Sequence, residues 1–316
     1  MPAFAETLRF ATFDSGLGRK GPGLMLRDLR AAKDTQAEAA LDVIASAAPD
    51  VLLLLDIDWD HGGAGLAGLA DRLAEHGLDY SYRLSLSPVS GVPSGFDLDG
   101  DGDAHGPRDA LGYGWFTGDS GLALLSRYPL GPPEDLSGTL WADRSGAAEV
   151  LPEAARAVVP LATTAQWIVP LAVGDTTITL VTLAAGTPVF DGPEDRNGLR
   201  NRDELALVAE LAAQAELPLV LGRGNIDPET GEGYRDAMRA LLDLPGLQDA
   251  APEGAGGLAT AAWDRPGPMR VDYVLPPRAL RVTGAGVVWP EAGDPLLTTV
   301  EAAGTGRLVW VDVAVP

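Results

Sequence analysis

The segment "DVLLLLDI", Asp50–Ile57, restricts the fold more than any other stretch of this chain. Its apolar residues run on without polar alternation from Val51 to Leu55, so a strand here must be covered on both faces. "PLVL", Pro218–Leu221, makes the same demand as a buried strand and then runs into a turn crowded with polar residues. Helical spacing of apolar residues recurs in "KDTQAEAALDVIASAAPD", with Asp34 or Thr35 placed to cap it, and in "AGLAGLADRLAEHG", closed by Gly77. It appears again in "NRDELALVAELAAQA" and "YRDAMRALLDL". "TLRFATF" (Thr7–Phe13), "YSYRLSL", "GLALLSRYPL", "RVDYVL", "ALRVTGAGVVW" and "RLVWVDVAV" read as strands, and "QWIVPLAVGDTTITLVTLAA" as two strands about the Gly174-Asp175 turn. Strands and helices interspersed in this way, with several hairpins, predict two mostly antiparallel sheets packed face to face with helices outside. No internal repeat and no long linker divides the chain, so residues 1–316 read as a single domain with an acidic loop insert at 88–119.

The charge balance narrows the partners. With 45 acidic and 23 basic residues the formal net charge is −22. Such a surface repels polyphosphates, which makes nucleic acid an unsuitable partner. Acidity of this kind maintains solubility. No apolar run approaches the length of a membrane span, so no membrane partner is expected. The absence of cysteine excludes disulfides, thiolate metal sites and a cysteine nucleophile. The three histidines are His61, His76 and His105, so no mechanism can draw a histidine from later in the chain. His76 stands at a helix end, where it complements the dipole, and His61 follows Asp58 and Asp60 in a segment that reads as a surface loop.

"PLVLGRGNIDP" poses the central question. A strand end followed by glycines, Asn225 and Asp227 is where hydrolases place acidic ligands and substrate-binding amides, yet the residue between the glycines is Arg223. The order of "LRFATFD", "DVLLLLDID", "SGLALLSRYP", "PVFDGPEDRNGLRN", "LVLGRGNIDP", "RVDYVLP" and "GTGRLVWVD" resembles the endonuclease/exonuclease/phosphatase superfamily. The resemblance runs from about Thr7 to Val313 and is nearest to a bacterial, exported branch with the "FDGPEDRNG" loop. It implies the DNase-like four-layer α/β/β/α sandwich. It also implies phosphoester cleavage with one or two divalent metals, a carboxylate that orients water, and histidines that stabilise developing charge.

Most positions of that implied site depart from the pattern, while Asn225 and Asp272 are retained. Asp14 stands for the Asn that ends the first strand, and Leu55-Asp56 for a Gln-Glu pair whose Glu is the principal metal ligand. Ala184 stands for a catalytic His, and Gly222-Arg223-Gly224-Asn225 for a Gly-Asp-x-Asn loop. Gly304-Thr305-Gly306 replaces a terminal Ser-Asp-His, while Asp272 is kept without the His it would bond. An arginine can be neither base nor metal ligand near neutral pH. Losing one oxyanion-type donor costs about 2.7–4 kcal/mol of transition-state stabilisation. The inherited site therefore reads as degenerate. If the fold gathers Asp14, Asp56, Asp272 and Asn225, a guanidinium at 223 can stand where the cation stood; the competing reading points Arg223 into solvent.

"DLDGDGDAHGPRD" places Asp97, Asp99, Asp101 and Asp103 at the alternate positions of a calcium loop, with Gly102 at the sixth. Arg108 occupies the twelfth place and Asp109 follows it. The expectation is a structural calcium on Asp97, Asp99, Asp101, Asp103 and Asp109; the competing reading is a solvated acidic loop. His105 reads as a bystander, because hard cations take oxygen ligands. Of the seven tryptophans, Trp59 and Trp115 lie in segments that could rim a pocket, and the rest read as core. Ala3-Phe4-Ala5 resembles the small-x-small end of a signal peptide, which points to a periplasmic or secreted protein, and otherwise to a cytoplasmic one.

Three functions remain open on these residues. One is a degenerate phosphoesterase that binds an unknown ligand or protein. The second is a residual phosphodiesterase or phosphatase using magnesium or manganese on Asp14, Asp56 and Asn225, with Asp58 or Asp227. The third is an exported calcium-binding interaction protein.

Overall fold

The computed structural model of the chain describes residues 6–316, so the Ala3-Phe4-Ala5 segment lies outside the described residues. In chain order the strands are β1 (Glu6–Asp14), β2 (Val51–Ile57), β3 (Tyr82–Leu84), β4 (Gly121–Ser126), β5 (Glu134–Asp135), β6 (Trp167–Val173), β7 (Thr176–Ala184), β8 (Pro218–Arg223), β9 (Ala261–Ala262), β10 (Pro268–Met269), β11 (Asp272–Leu275), β12 (Arg281–Val287) and β13 (Val309–Val315). The α-helices are α1 (Leu24–Ala31), α2 (Thr35–Ala47), α3 (Ala64–Glu75), α4 (Trp141–Arg144), α5 (Arg196–Gln214), α6 (Arg235–Leu242) and α7 (Leu296–Ala303). No helix among the described residues is long and apolar enough to cross a membrane.

One sheet has the strand order β12-β13-β1-β2-β4-β3 and the other β11-β8-β7-β6-β5. Each contains one parallel pair, β1 with β2 and β7 with β8, among antiparallel neighbours. The period of two along each strand sorts the apolar residues into layers. Leu8, Phe10, Val51 and Leu53 meet Trp167, Val169, Leu180 and Leu219 between the sheets. Ala11, Phe13, Leu52 and Leu54 face outward onto Ala40 and Ile44 of α2. On the far side, Val181, Leu183 and Val220 pack on Leu205, Val208 and Met238 of α5 and α6. Burying one such side chain stabilises by about 1.5–3 kcal/mol, which holds β2 in place from both faces. The result is the four-layer α/β/β/α sandwich expected.

Several elements differ from the sequence reading. The "YSYRLSL" strand shortens to β3. α7, "LLTTVEAA", is helical despite β-branched residues, because Val300 and Ala303 bury against the α2 layer. α1 follows Gly23 and buries only Met25 and Leu29, too few to show as a periodic pattern. α5 begins at Arg196, inside a Pro/Gly-rich segment that reads as loop. Trp141, Ala148, Leu151, Ala155 and Leu161 form a satellite core with Leu207 of α5, beneath the acidic insert. Asp34 is the cap of α2, accepting from the Ala37 amide at 2.9 Å.

The two parallel pairs deliver their C-terminal ends to one rim. Asp14 registers against Leu55, and Ala184 against Arg223, which in turn faces Asp272 across the β8–β11 ladder. β1 also packs against β8 and β11 across the sandwich.

Candidate functional site

Arg223 ends β8 where the sheets come together, and only 8% of it is exposed. It reaches that position through Gly222, whose φ of +136° is one that L side chains rarely adopt and whose added Cβ would sit 1.9 Å from the Leu183 carbonyl oxygen. The Arg223 guanidinium is divided between two carboxylates. Nε donates to Asp272 Oδ1 at 2.7 Å and Nη2 to Asp272 Oδ2 at 3.0 Å, a planar two-point pairing. Nη1 donates to Asp14 Oδ2.

Asp272, 1% exposed, also accepts from the Thr260 hydroxyl at 3.0 Å, and Thr260 in turn accepts from the amides of Val271 and Asp272 at 2.9 Å each. In place of the missing histidine, Arg223 and Thr260 fill the lone pairs of Asp272. Gly306 lies against the same group. A Cβ there would meet the Asp14 carbonyl oxygen at 2.5 Å and Arg223 Nη2 at 3.5 Å. A histidine at 306 has no room while β1 holds this course. Thr305, exposed, offers its carbonyl to the Ala262 amide at 2.9 Å, and Ala184 presents a methyl to the inner core.

The other expected members do not join Arg223. Asp56, at φ +53°, turns its carboxylate toward Ser120, whose hydroxyl donates to Oδ1 at 2.6 Å. No hydrogen bond or ion pair links it to Arg223 among the described residues. Burial, with the nearby Asp119 charge added, raises its pKa against the effect of the Ser120 bond. Asp58 accepts from the Arg19 amide at 3.2 Å, and burial pushes its carboxyl up to about 7. Asn225 donates to the Ala185 carbonyl at 2.7 Å, and Asp227 accepts from the amides of Glu229, Thr230 and Arg270. Both are held by backbone groups rather than aimed at a common point. Asp60 accepts from the Ala64 and Gly65 amides at the start of α3, His76 pairs with Asp42 at 3.1 Å, and His61 stands edge-on to Trp59.

In the acidic insert, carboxylate oxygens of Asp97, Asp99 and Asp109 lie within 4.8 Å of one another, the one such set of acidic or imidazole groups among the described residues. Asp101 and Asp103 stand outside it. Asp101 accepts from the Asp103 amide at 2.8 Å, and Asp103 pairs with His105 at 2.8 Å, so the loop turns these two outward. Trp115 is 64% exposed, and it is Tyr113 that lines the neighbouring cavity.

Sequence reasoning missed Thr260, Arg19 and a group on α5. Glu204 is buried and accepts from the Thr163 amide, the Thr163 hydroxyl and the Gly186 amide, each at 2.7 Å. Burial raises its carboxyl to about 7 despite those bonds. Arg200 lies four residues earlier, a spacing that puts both on one helix face once the helix start is known.

Residues 24–306 match the sequence model of the Endonuclease/Exonuclease/phosphatase family. No curated protein matches the chain. Among solved structures, one similar fold is an endonuclease/exonuclease/phosphatase from Beutenbergia cavernae, 17% identical with a TM-score of 0.60, covering 98% of this chain and 72% of that one. A family protein from Leptotrichia buccalis is 12% identical with a TM-score of 0.59, covering 98% of this chain and 99% of its own. Sphingomyelinase C from Streptomyces griseocarneus is 16% identical with a TM-score of 0.53, over 97% and 99% of the two chains. At these identities the likeness shows the fold alone.

Proposed function

Because the chain belongs to the endonuclease/exonuclease/phosphatase family, we propose that it keeps the family fold around a centre in which Arg223 stands in for a divalent ion, and that it acts by binding rather than by cleaving phosphoesters. One observation carries this reading: the Arg223 guanidinium is shared between Asp14 and Asp272. Magnesium or manganese does not fit the residues present. The space between these carboxylates holds a fixed positive charge, while Asp56 Oδ1, Asn225 Nδ2 and both Asp227 oxygens are bonded elsewhere. The two positions where the family resemblance places histidines hold Ala184 and Gly306, which leaves an ester cleavage without those imidazole donors. A net charge of −22 argues against nucleic acid as the bound partner.

The test is turnover of bis-p-nitrophenyl phosphate with magnesium, manganese or calcium. The expected rate is that of buffer with the same metal; metal-dependent turnover abolished by Asp56→Ala would overturn the reading.

The convergence of Asp97, Asp99 and Asp109 favours a second, separate role: a calcium ion that orders the insert. Calorimetric titration with calcium should give a binding isotherm that Asp99→Ala weakens by at least about tenfold. No heat at millimolar calcium would dismiss it.

A further inference from the structure

A cavity of about 470 Å³ opens between the acidic insert and the start of α5. Gly186 and Thr187, which follow β7, form one side, so it neighbours the Arg223 rim without sharing its carboxylates. Three arginines line it, Arg108, Arg196 and Arg200, together with Asn197. In a chain with 45 acidic and 23 basic residues, these three have no carboxylate within 4.0 Å among the described residues.

Their nitrogens are only partly used. Arg200 is fixed by backbone carbonyls: Nε donates to Leu161 at 2.9 Å, and Nη2 to Pro160, Leu111 and Ala162 at 2.7, 2.8 and 2.9 Å. Its Nη1 has no partner among the described residues. Arg196 spends Nη1 on the Leu98 carbonyl at 2.6 Å and leaves Nε and Nη2 free, while Arg108 makes no side-chain hydrogen bond there. Burial lowers the Arg200 pKa to about 10; the Glu204 charge opposes that shift and the Arg196 charge adds to it. The remaining wall is apolar, with Leu151, Val159 and Val189, and Tyr113 and Phe190 stand 61% and 77% exposed beside it.

We propose that this cavity binds a small organic dianion with an apolar or aromatic body. Three guanidiniums with spare N–H groups offer more donors than one carboxylate can accept, whereas a phosphomonoester or a dicarboxylate satisfies them and neutralises most of their charge. The apolar wall and the two aromatic rings take up the body of the ligand. The fixed Arg200 supplies a preorganised anchor, which spares the ordering cost of a flexible side chain. The inference deepens the binding reading but rests on residues apart from the Arg223 centre.

Calorimetry in metal-free buffer with phenyl phosphate, phthalate and benzoate tests it. Phenyl phosphate or phthalate should bind at least about tenfold more tightly than the monoanion benzoate. Which dianion binds better separates a phosphate ligand from a dicarboxylate one, and either result supports the proposal. Losing a hydrogen bond to a charged group costs about 1.5–3 kcal/mol. Arg196→Gln, and separately Arg108→Gln, should therefore weaken the dianion by roughly tenfold or more, and Arg108→Gln, which gives up no bond within the chain, should leave the thermal unfolding midpoint in place. Neither side chain carries the carbonyl network that Arg200 holds. Absence of heat at millimolar dianion, or affinity unchanged in the Arg108→Gln, Arg196→Gln double variant, overturns the proposal. So does binding that requires added magnesium and is lost in Asp14→Asn, since that places the anion at the Arg223 centre. Turnover of bis-p-nitrophenyl phosphate would instead overturn the non-hydrolytic reading and leave this one standing.

Discussion

Replacing Arg223 by alanine is expected to lower the stability of the folded chain by about 3–5 kcal/mol, the usual cost of stranding a buried charge partner. Asp272 is 1% exposed and would keep only the Thr260 hydroxyl and no cation, while Asp14 would lose the guanidinium at the end of β1. The measurement is the urea midpoint of the variant against the parent, with the m-value checked for constancy. A loss below about 1 kcal/mol, the scale of a surface ion pair, would mean that the guanidinium does not compensate these carboxylates. The experiment separates two views of Arg223 that its sequence position alone leaves open. An arginine facing solvent from a loop tolerates alanine. An arginine standing where a cation would neutralise two strand-end carboxylates does not.

A comparable loss is expected from Gly222→Ala, for a reason rooted in the backbone. The added Cβ falls 1.9 Å from the Leu183 carbonyl oxygen on the neighbouring parallel strand, and the φ of +136° is itself strained for an L residue. Local strain and overpacking each cost about 1–3 kcal/mol, so together they predict roughly 2–6 kcal/mol. Because β7 and β8 separate at this point, Arg223 should also move off Asp272. Loss of the urea midpoint together with altered amide exchange at residues 222–224 and 272 checks this. Exchange unchanged at those amides would show that the strands absorb the methyl group elsewhere. A second close approach, at Gly306, explains why the terminal histidine cannot simply be returned. At Gly306 a side chain must enter the 2.5 Å between its Cβ direction and the Asp14 carbonyl oxygen.

The layers of this fold are written in periodicity. The two-sided apolar run of β2 places that strand inside a sheet, and the alternation of Leu8 and Phe10 with Ala11 and Phe13 assigns β1 to the same sheet, with one face inward. Motif order then brings Asp14, Ala184, Arg223 and Asp272 to one rim, because these residues end or begin strands paired there. Side-chain partnership is less legible. Asp56 bonds to Ser120, which is 64 residues away along the chain, and no spacing rule anticipates that choice. Asp272 finds Thr260 and Arg223 in place of an imidazole, through chain segments whose approach only the folded β8–β11 ladder fixes. The cavity arginines are hidden for a local reason. Gly198 and Pro193 make "FDGPEDRNG" read as loop, yet α5 starts at Arg196 and carries Arg196 and Arg200 on its first turns.

The most direct check on the central claim is crystallographic: crystals grown with millimolar manganese, with anomalous scattering collected at the metal edge. The account predicts no manganese peak at the strand-end rim and the Arg223 guanidinium in contact with both Asp14 and Asp272. A manganese ion bound by Asp14 and Asp56, with Arg223 swung away, would contradict it.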